Sequence, residues 1–153
     1  MSNYQVEVSA VVDAPAERIY NVLADYESGH PSILPKPYFT DLQVVEGGRG
    51  AGTVIFVKMS VMGANREYQM RVTEPQPGRV LQEEDKDAGV LTTFTVEPVA
   101  ANQSRVTIST TTQTSPGLMG WLEKVTTPPI ARRIYREELE QLATVVAPEK
   151  VAA

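Results

Sequence analysis

The chain has 153 residues, 42% of them hydrophobic, and a formal charge of −5, enough for one domain with its own core and too acidic for the basic face that nucleic acid demands. It has no cysteine, which excludes thiol catalysis, disulfides and cysteine-ligated zinc or iron–sulfur sites and accords with a reducing compartment. No apolar stretch approaches bilayer-spanning length and no basic segment leads into an apolar run at the start, so the expectation is one cytoplasmic domain over 1–153 without stable membrane insertion.

Tyr4 to Val12 alternates, with Tyr4, Val6, Val8 and Ala10 on one face and Gln5, Glu7 and Ser9 on the other, which predicts a first strand. Asp13-Ala14-Pro15 stops it, with Asp13 as a candidate cap for a helix whose inward stripe is Ile19, Tyr20, Val22 and Leu23. Asp25 to Pro37 is rich in breakers and predicts a short helix or two turns.

Tyr38 to Glu46 is extended, and the glycine run Gly47 to Gly52 turns the chain into Thr53 to Met62, where Ile55, Val57, Met59 and Val61 share a face. Met62-Gly63-Ala64-Asn65 is a hairpin turn, and Arg66 to Glu74 places Tyr68, Met70 and Val72 on one side. Pro75 to Gly78 turns again. Arg79 to Glu84 is a short strand, Asp85 to Gly89 a polar hairpin, and Val90 to Glu97 and Arg105 to Gln113 close the series across Pro98 to Ser104.

Ser115 to Ala147 is the one long helical pattern. Ser115 suits an N-cap and Pro116 a first turn; Leu118, Trp121, Leu122 and Val125 form a stripe that Tyr135, Leu139, Leu142 and Val146 resume. Pro128 and Pro129 remove N–H donors opposite the carbonyls of Lys124 and Val125, so a kink or short break is expected at Thr126–Pro129. Arg133 with Glu137 and Arg136 with Glu140 are i, i+4 pairs on the outer face.

Strands with such short links are antiparallel neighbours, because a parallel connection needs a long crossover. The result is an α+β domain: a curved antiparallel sheet of about seven strands wrapped around a long C-terminal helix, with two short helices between strands 1 and 2 and a mostly apolar cavity under the helix.

The order of elements, the opening VVDAPAERIYNVLADYE, the GxGT at Gly50–Thr53, VTEPQPGRVLQEE at Val72–Glu84, TTFTVEPV at Thr92–Val99 before SRVTIST, and the closing helix together resemble the START-like (SRPBCC) helix-grip superfamily. That group includes polyketide cyclases and aromatases, plant pathogenesis-related allergens and steroid-carrying START domains. The resemblance covers nearly the whole chain and implies a deep cavity that takes lipids, sterols, polyketides or other apolar molecules, with catalysis in a minority of members. No set of catalytic Arg, Ser or acidic residues from the aromatase/cyclases maps onto this chain, and no motif supports the co-chaperone branch.

The candidate catalytic groups are His30, Glu83 and Glu84. His30 is the single histidine and the natural general base, although beside Pro31 in a breaker-rich segment its default state is solvated. One of Glu83 and Glu84 must face the concave side, since neighbours on a strand alternate. One histidine and no cysteine leave too few ligands for zinc, so no metal and no cofactor are expected. The glycine run precedes a strand and lacks a Lys-Ser/Thr pair, so it reads as a rim hairpin and not a phosphate cradle.

Tyr38, Met59, Tyr68, Met70, Phe94 and Trp121, with Met119, supply adaptable and polar-tipped cavity walls. Ile55, Val57, Ile108 and Val125 extend the apolar lining, while Thr110 and Thr112 add hydroxyls that either orient a ligand or reflect strand propensity. Asp25–Pro37 and the hairpins at Gly47–Gly52 and Asp85–Gly89 would form the lid. The leading expectation is binding of a small hydrophobic ligand. The rival is a polyketide cyclase, aromatase or dehydratase using the same cavity, which a buried carboxylate of raised pKa would favour. A third reading, a protein-interaction module, needs a large exposed apolar patch.

Overall fold

The computed structural model describes residues 3–36, 38–61, 63–113 and 118–147, with the backbone alone described over 118–126. Ten elements follow in order: β1 (Asn3–Val12), α1 (Ala16–Ala24), α2 (Gly29–Ile33), β2 (Phe39–Glu46), β3 (Val54–Val61), β4 (Ala64–Gln76), β5 (Val80–Asp85), β6 (Val90–Ala100), β7 (Gln103–Gln113) and α3 (Leu118–Val146). The strands form one seven-stranded antiparallel sheet in the order β1-β7-β6-β5-β4-β3-β2. Only β1 is displaced from its sequence neighbour, carried across by α1 and α2 to pair with β7. The sheet curves around α3 in the α+β helix-grip arrangement.

Pairing stacks side chains in rows across the concave face, because residues opposite one another in adjacent strands point to the same side. One buried row is Leu81, Phe94 and Ile108, with Val8 beyond them; the first three are 0–2% exposed. The next row toward the open end is Val72, Glu83, Thr92, Thr110 and Val6. Above it run Val90, Thr112 and Tyr4. An apolar floor is thus followed by a polar row.

α1 lays Ile19, Tyr20 and Leu23 into the core. Pro15 stands at its N-cap, and Asp13, expected there, instead accepts a hydrogen bond from Gln103 Nε2 at 2.9 Å. The start of α2 is organised by Asp25, whose carboxylate accepts the backbone N–H groups of Glu27, Ser28 and Gly29 and the Ser28 hydroxyl. Gly29 permits a close crossing with α1: a Cβ there would sit 2.6 Å from the Val22 carbonyl oxygen.

Three expectations are corrected. The short break allowed for at Thr126–Pro129 does not occur, since α3 continues as one helix through Pro128 and Pro129; proline's φ is itself helical, and burial of Ile134, Leu139, Leu142 and Val146 below them holds the helix to the sheet. The glycine run is not at the cavity rim. Gly48 and Gly50 are buried against the end of α1, where Tyr26 N–H donates to Gly48 O at 2.9 Å and Gly50 N–H to Ala24 O at 2.9 Å. Of the two helix pairs, Arg133–Glu137 is an ion pair at 3.9 Å, whereas Arg136 and Glu140 do not meet. The predicted cap at Ser115 and Pro116 lies outside the described residues, as does Met62, while Val61 pairs with Ala64 across the hairpin expected at Met62–Asn65. Among the described residues no helix is long and apolar enough to cross a membrane. Among the described residues the exposed large apolar side chains are Val11, Val45, Val99 and Val145, one each on β1, β2, β6 and α3.

Candidate functional site

A cavity of about 610 Å³ lies between the concave face, α2 and the middle of α3, within the size range of small-molecule sites. Its exposed lining residues, Ala64, Arg66, Glu67, Ala88 and Gln113, mark the mouth at the β3–β4 and β5–β6 hairpins and the end of β7. Most of the wall is apolar. Ile55, Val57, Met59, Tyr68, Met70 and Phe94 line it as expected, as do Thr110 and Thr112.

Two expected wall residues do not reach it. Tyr38 is replaced by its neighbour Phe39, because a register shift between Phe39 and Asp41 breaks the alternation at the start of β2. Ile108 belongs to the buried row with Leu81 and Phe94, where it packs into the core below the cavity floor. The side chains of Met119, Trp121 and Val125 lie outside the described residues.

The polar groups gather in and around the second row. Glu83 faces inward and is 8% exposed, while Glu84 takes the alternate side of β5 and is absent from the lining. His30 is not solvated: it is 2% exposed and forms part of the wall. Its ring stacks on Tyr26 at 4.6 Å and meets Phe94 edge-on at 5.3 Å. His30 Nδ1 lies 2.7 Å from the Leu23 carbonyl oxygen. A carbonyl only accepts, so Nδ1 carries the proton and Nε2 is the nitrogen turned toward Glu83 Oε2, 3.7 Å away. The Tyr26 hydroxyl donates to the same Glu83 oxygen at 2.7 Å. Burial, then the Glu83 charge and this hydrogen bond, raise the Tyr26 pKa well above its ordinary value, so the phenol stays a donor.

α3 supplies the other half. Tyr135 OH and Thr110 Oγ1 are 2.6 Å apart, and Thr110 and Thr92 Oγ1 are 2.8 Å apart. Three hydroxyls joined by two hydrogen bonds leave one O–H free to donate outward. Glu138 is 2% exposed and lines the same cavity. It has no hydrogen-bond partner among the described residues, and burial first and the Glu83 charge second raise its pKa well above the ordinary carboxylate value. It therefore keeps its proton at pH values where an exposed glutamate has lost it. Two carboxyl groups, an oriented imidazole and a hydroxyl chain around one apolar space can hold a ligand's oxygen atoms and move protons to and from them.

Glu138, Tyr135, Tyr26 and Thr92 were not singled out as site residues from the sequence. The signal for Glu138 is its place between Ile134 and Leu142 at i, i+4, i+8, a carboxyl within an apolar stripe. Among the described residues no three His, Asp or Glu side chains form a group able to hold a metal ion.

Residues 4–147 match the family model described as polyketide cyclase / dehydrase and lipid transport. The chain is similar to the NMR solution structure of KanY protein, with 28% identity and a TM-score of 0.83 over 97% of this chain and 100% of that one. It is similar in fold to the Zhui aromatase/cyclase from Streptomyces sp. R1128, with 18% identity and a TM-score of 0.74 over 95% and 94% of the two chains. The same holds for norcoclaurine synthase from Thalictrum flavum in complex with dopamine and hydroxybenzaldehyde, at 18% identity and a TM-score of 0.71 over 99% and 90%. No match to the chain appears among curated protein sequences.

Proposed function

The chain belongs to the polyketide cyclase / dehydrase and lipid transport family, and on that premise we propose that it binds a small, mostly apolar, polyketide-like or aromatic molecule in the cavity and carries out acid/base chemistry at the polar row. The observation that carries this reading is Glu138, a buried carboxyl facing the same space as Glu83 and His30. A carrier needs only apolar wall; Glu138 adds a buried carboxyl that has no hydrogen-bond partner among the described residues and faces the cavity. Chemistry gives that carboxyl a purpose.

The reaction class is an internal condensation with loss of water. Glu83 or His30 Nε2 takes a proton from the carbon next to a ligand carbonyl; that carbon bonds to a second carbonyl carbon, whose oxygen receives the Glu138 proton. The deprotonated Glu138 then takes the remaining proton of that same attacking carbon while the protonated base gives its proton to the new hydroxyl; the C–O bond breaks, a C=C bond forms and water leaves, both groups return to their starting states, and no oxidant or reductant is consumed. The free hydroxyl of the Thr92–Thr110–Tyr135 chain would hold the developing oxyanion.

The test is incubation with short aromatic-capped polyketones, following loss of one water by mass spectrometry for the wild-type protein and Glu138→Gln. Turnover by the wild type that falls at least about a hundredfold in the variant, with ligand affinity retained, supports the proposal. Equal rates for the two proteins would overturn it. The length of apolar wall favours a second reading, a carrier, which would show binding to both proteins and turnover by neither.

A further inference from the structure

The cavity's charge inventory is lopsided. Of its described lining residues only Arg66 is a lysine or arginine, and it is exposed at the mouth on β4 next to Glu67. The groups that face Glu138 inside are Glu83 from β5, His30 from α2, the hydroxyls of Thr92 and Thr110 from β6 and β7, and Tyr135 from α3 itself. Tyr4 and Tyr68 stand toward the mouth, and Tyr26 reaches Glu83 from behind. No fixed cation stands among them.

Two of the donors that could soothe an anion are already committed. The Tyr26 hydroxyl goes to Glu83, and the Nδ1 proton of His30 goes to the Leu23 carbonyl. A proton on His30 Nε2 would face Glu83, 3.7 Å away, and so its charge would be opposed by the protein's own carboxylate. We propose that the cavity is a charge filter: the buried end of its ligand is an uncharged carbonyl, enol or hydroxyl group, and carboxylate or phosphate ends are rejected. This rests on the cavity being the ligand site of the preceding section.

Glu138 is a carboxyl placed where a ligand's acid would sit, and burial and the Glu83 charge raise its pKa well above the ordinary carboxylate value. A ligand carboxylate meets the same low-dielectric wall and the same neighbouring charge. An uncharged oxygen instead finds the Glu138 O–H and the free hydroxyl of the threonine–tyrosine chain as donors, and a ligand hydroxyl finds Glu83 as an acceptor. Sterol-like, phenolic and polyketone ends satisfy this; a fatty-acid or phospholipid headgroup does not.

The experiment compares near-isosteric ligands, 2-acetylnaphthalene, 2-naphthamide and 2-naphthoate, by calorimetric titration at pH 8 and at descending pH. The carboxylate should bind at least about tenfold more weakly than the ketone and amide, and the gap should close as pH falls toward the ligand's own pKa. In Glu83→Gln/Glu138→Gln the ratio between uncharged and carboxylate affinities at pH 8 should shrink to about threefold or less, whatever the variant does to the affinity of the uncharged ligands themselves. The wild-type pH series decides the matter even where the double variant folds poorly. Naphthoate binding as tightly as naphthamide, or a gap unchanged in a folded double variant, overturns the filter and leaves the ligand site standing. Failure of all three ligands to bind overturns both.

Discussion

Replacing Glu138 with leucine should make the protein more stable while disabling the site. The side chain is 2% exposed, has no hydrogen-bond partner among the described residues, and is held protonated by burial and by Glu83. Leucine is of similar size and removes a desolvated polar group worth about 1–3 kcal/mol. The pH dependence is the sharper part. A carboxyl whose folded pKa is raised is protonated in the native state and ionised in the unfolded chain over the interval between the two values. There the unfolded state binds fewer protons, so stability falls as pH rises, by up to about 1.4 kcal/mol per pH unit. Below the unfolded pKa the group costs only its neutral burial. Urea unfolding of wild type and Glu138→Leu from pH 5 to 8 should therefore give curves that diverge upward in pH, with the variant above. Glu138→Gln should show the same pH-dependent divergence from wild type without the apolar gain. Parallel curves, or a leucine variant less stable at every pH, would refute the account of Glu138 as an uncompensated buried acid.

Three further outcomes follow from the geometry around it. Because His30 is the single histidine, long-range nitrogen–proton spectra report it alone, and in its neutral form they should show the Nδ1–H tautomer; an Nε2–H pattern would contradict the bond to Leu23 O. Gly29→Ala should cost about 1–3 kcal/mol, since its Cβ would meet the Val22 carbonyl oxygen at 2.6 Å, and should shift the His30 resonances, both read by urea titration and NMR. Asp25→Ala should cost about 0.5–2 kcal/mol through loss of its turn bonds. The Ser28 hydroxyl bond foremost, with the N–H groups, lowers the Asp25 pKa, so its contribution is present above the unfolded pKa and disappears as pH falls through the folded one. Acid unfolding that Asp25→Ala leaves unchanged would count against that role.

The sheet was legible because each strand announces itself locally. Alternation in Tyr4–Val12 and Arg105–Gln113 and the glycines between strands are short-range signals, and they implied that the inward face of β7 passes from Val106 and Ile108 to Thr110 and Thr112, as the burial of Val106, Ile108 and Thr110 and the cavity position of Thr112 show. Depth was not legible. Ile108 and Thr110 share a face, yet one is core and the other cavity wall, and that difference depends on which row α3 and α2 cover. Phase failed at Tyr38 for a similar reason: a bulge shifts the alternation without leaving a mark in the residue types. The glycine run was recognisable as a turn, but whether it sat at the mouth or the closed end depended on how α1 packs.

Glu138 shows why the site itself was the hardest part to read. By helical position it belongs to the inward stripe with Ile134 and Leu142; by residue type it belongs on the surface, among Arg133, Glu137 and Glu140. Sequence supplies both readings and no weight between them, because the deciding quantity is what stands opposite. Had a close-packed row of leucines stood there, the carboxyl would have no room and little reason to turn inward. What stands opposite is a cavity of about 610 Å³ edged by Glu83 and the hydroxyl row. That row exists because strand pairing sets Glu83 beside Thr92 and Thr92 beside Thr110, residues far apart in the chain. The sheet register therefore assembles the polar wall, and the wall in turn makes an inward acid on the facing helix a plausible chemical group and not a folding error, so a change that slips β5 against β6 by one residue should turn Glu83 outward and remove the chemistry before it unfolds the domain.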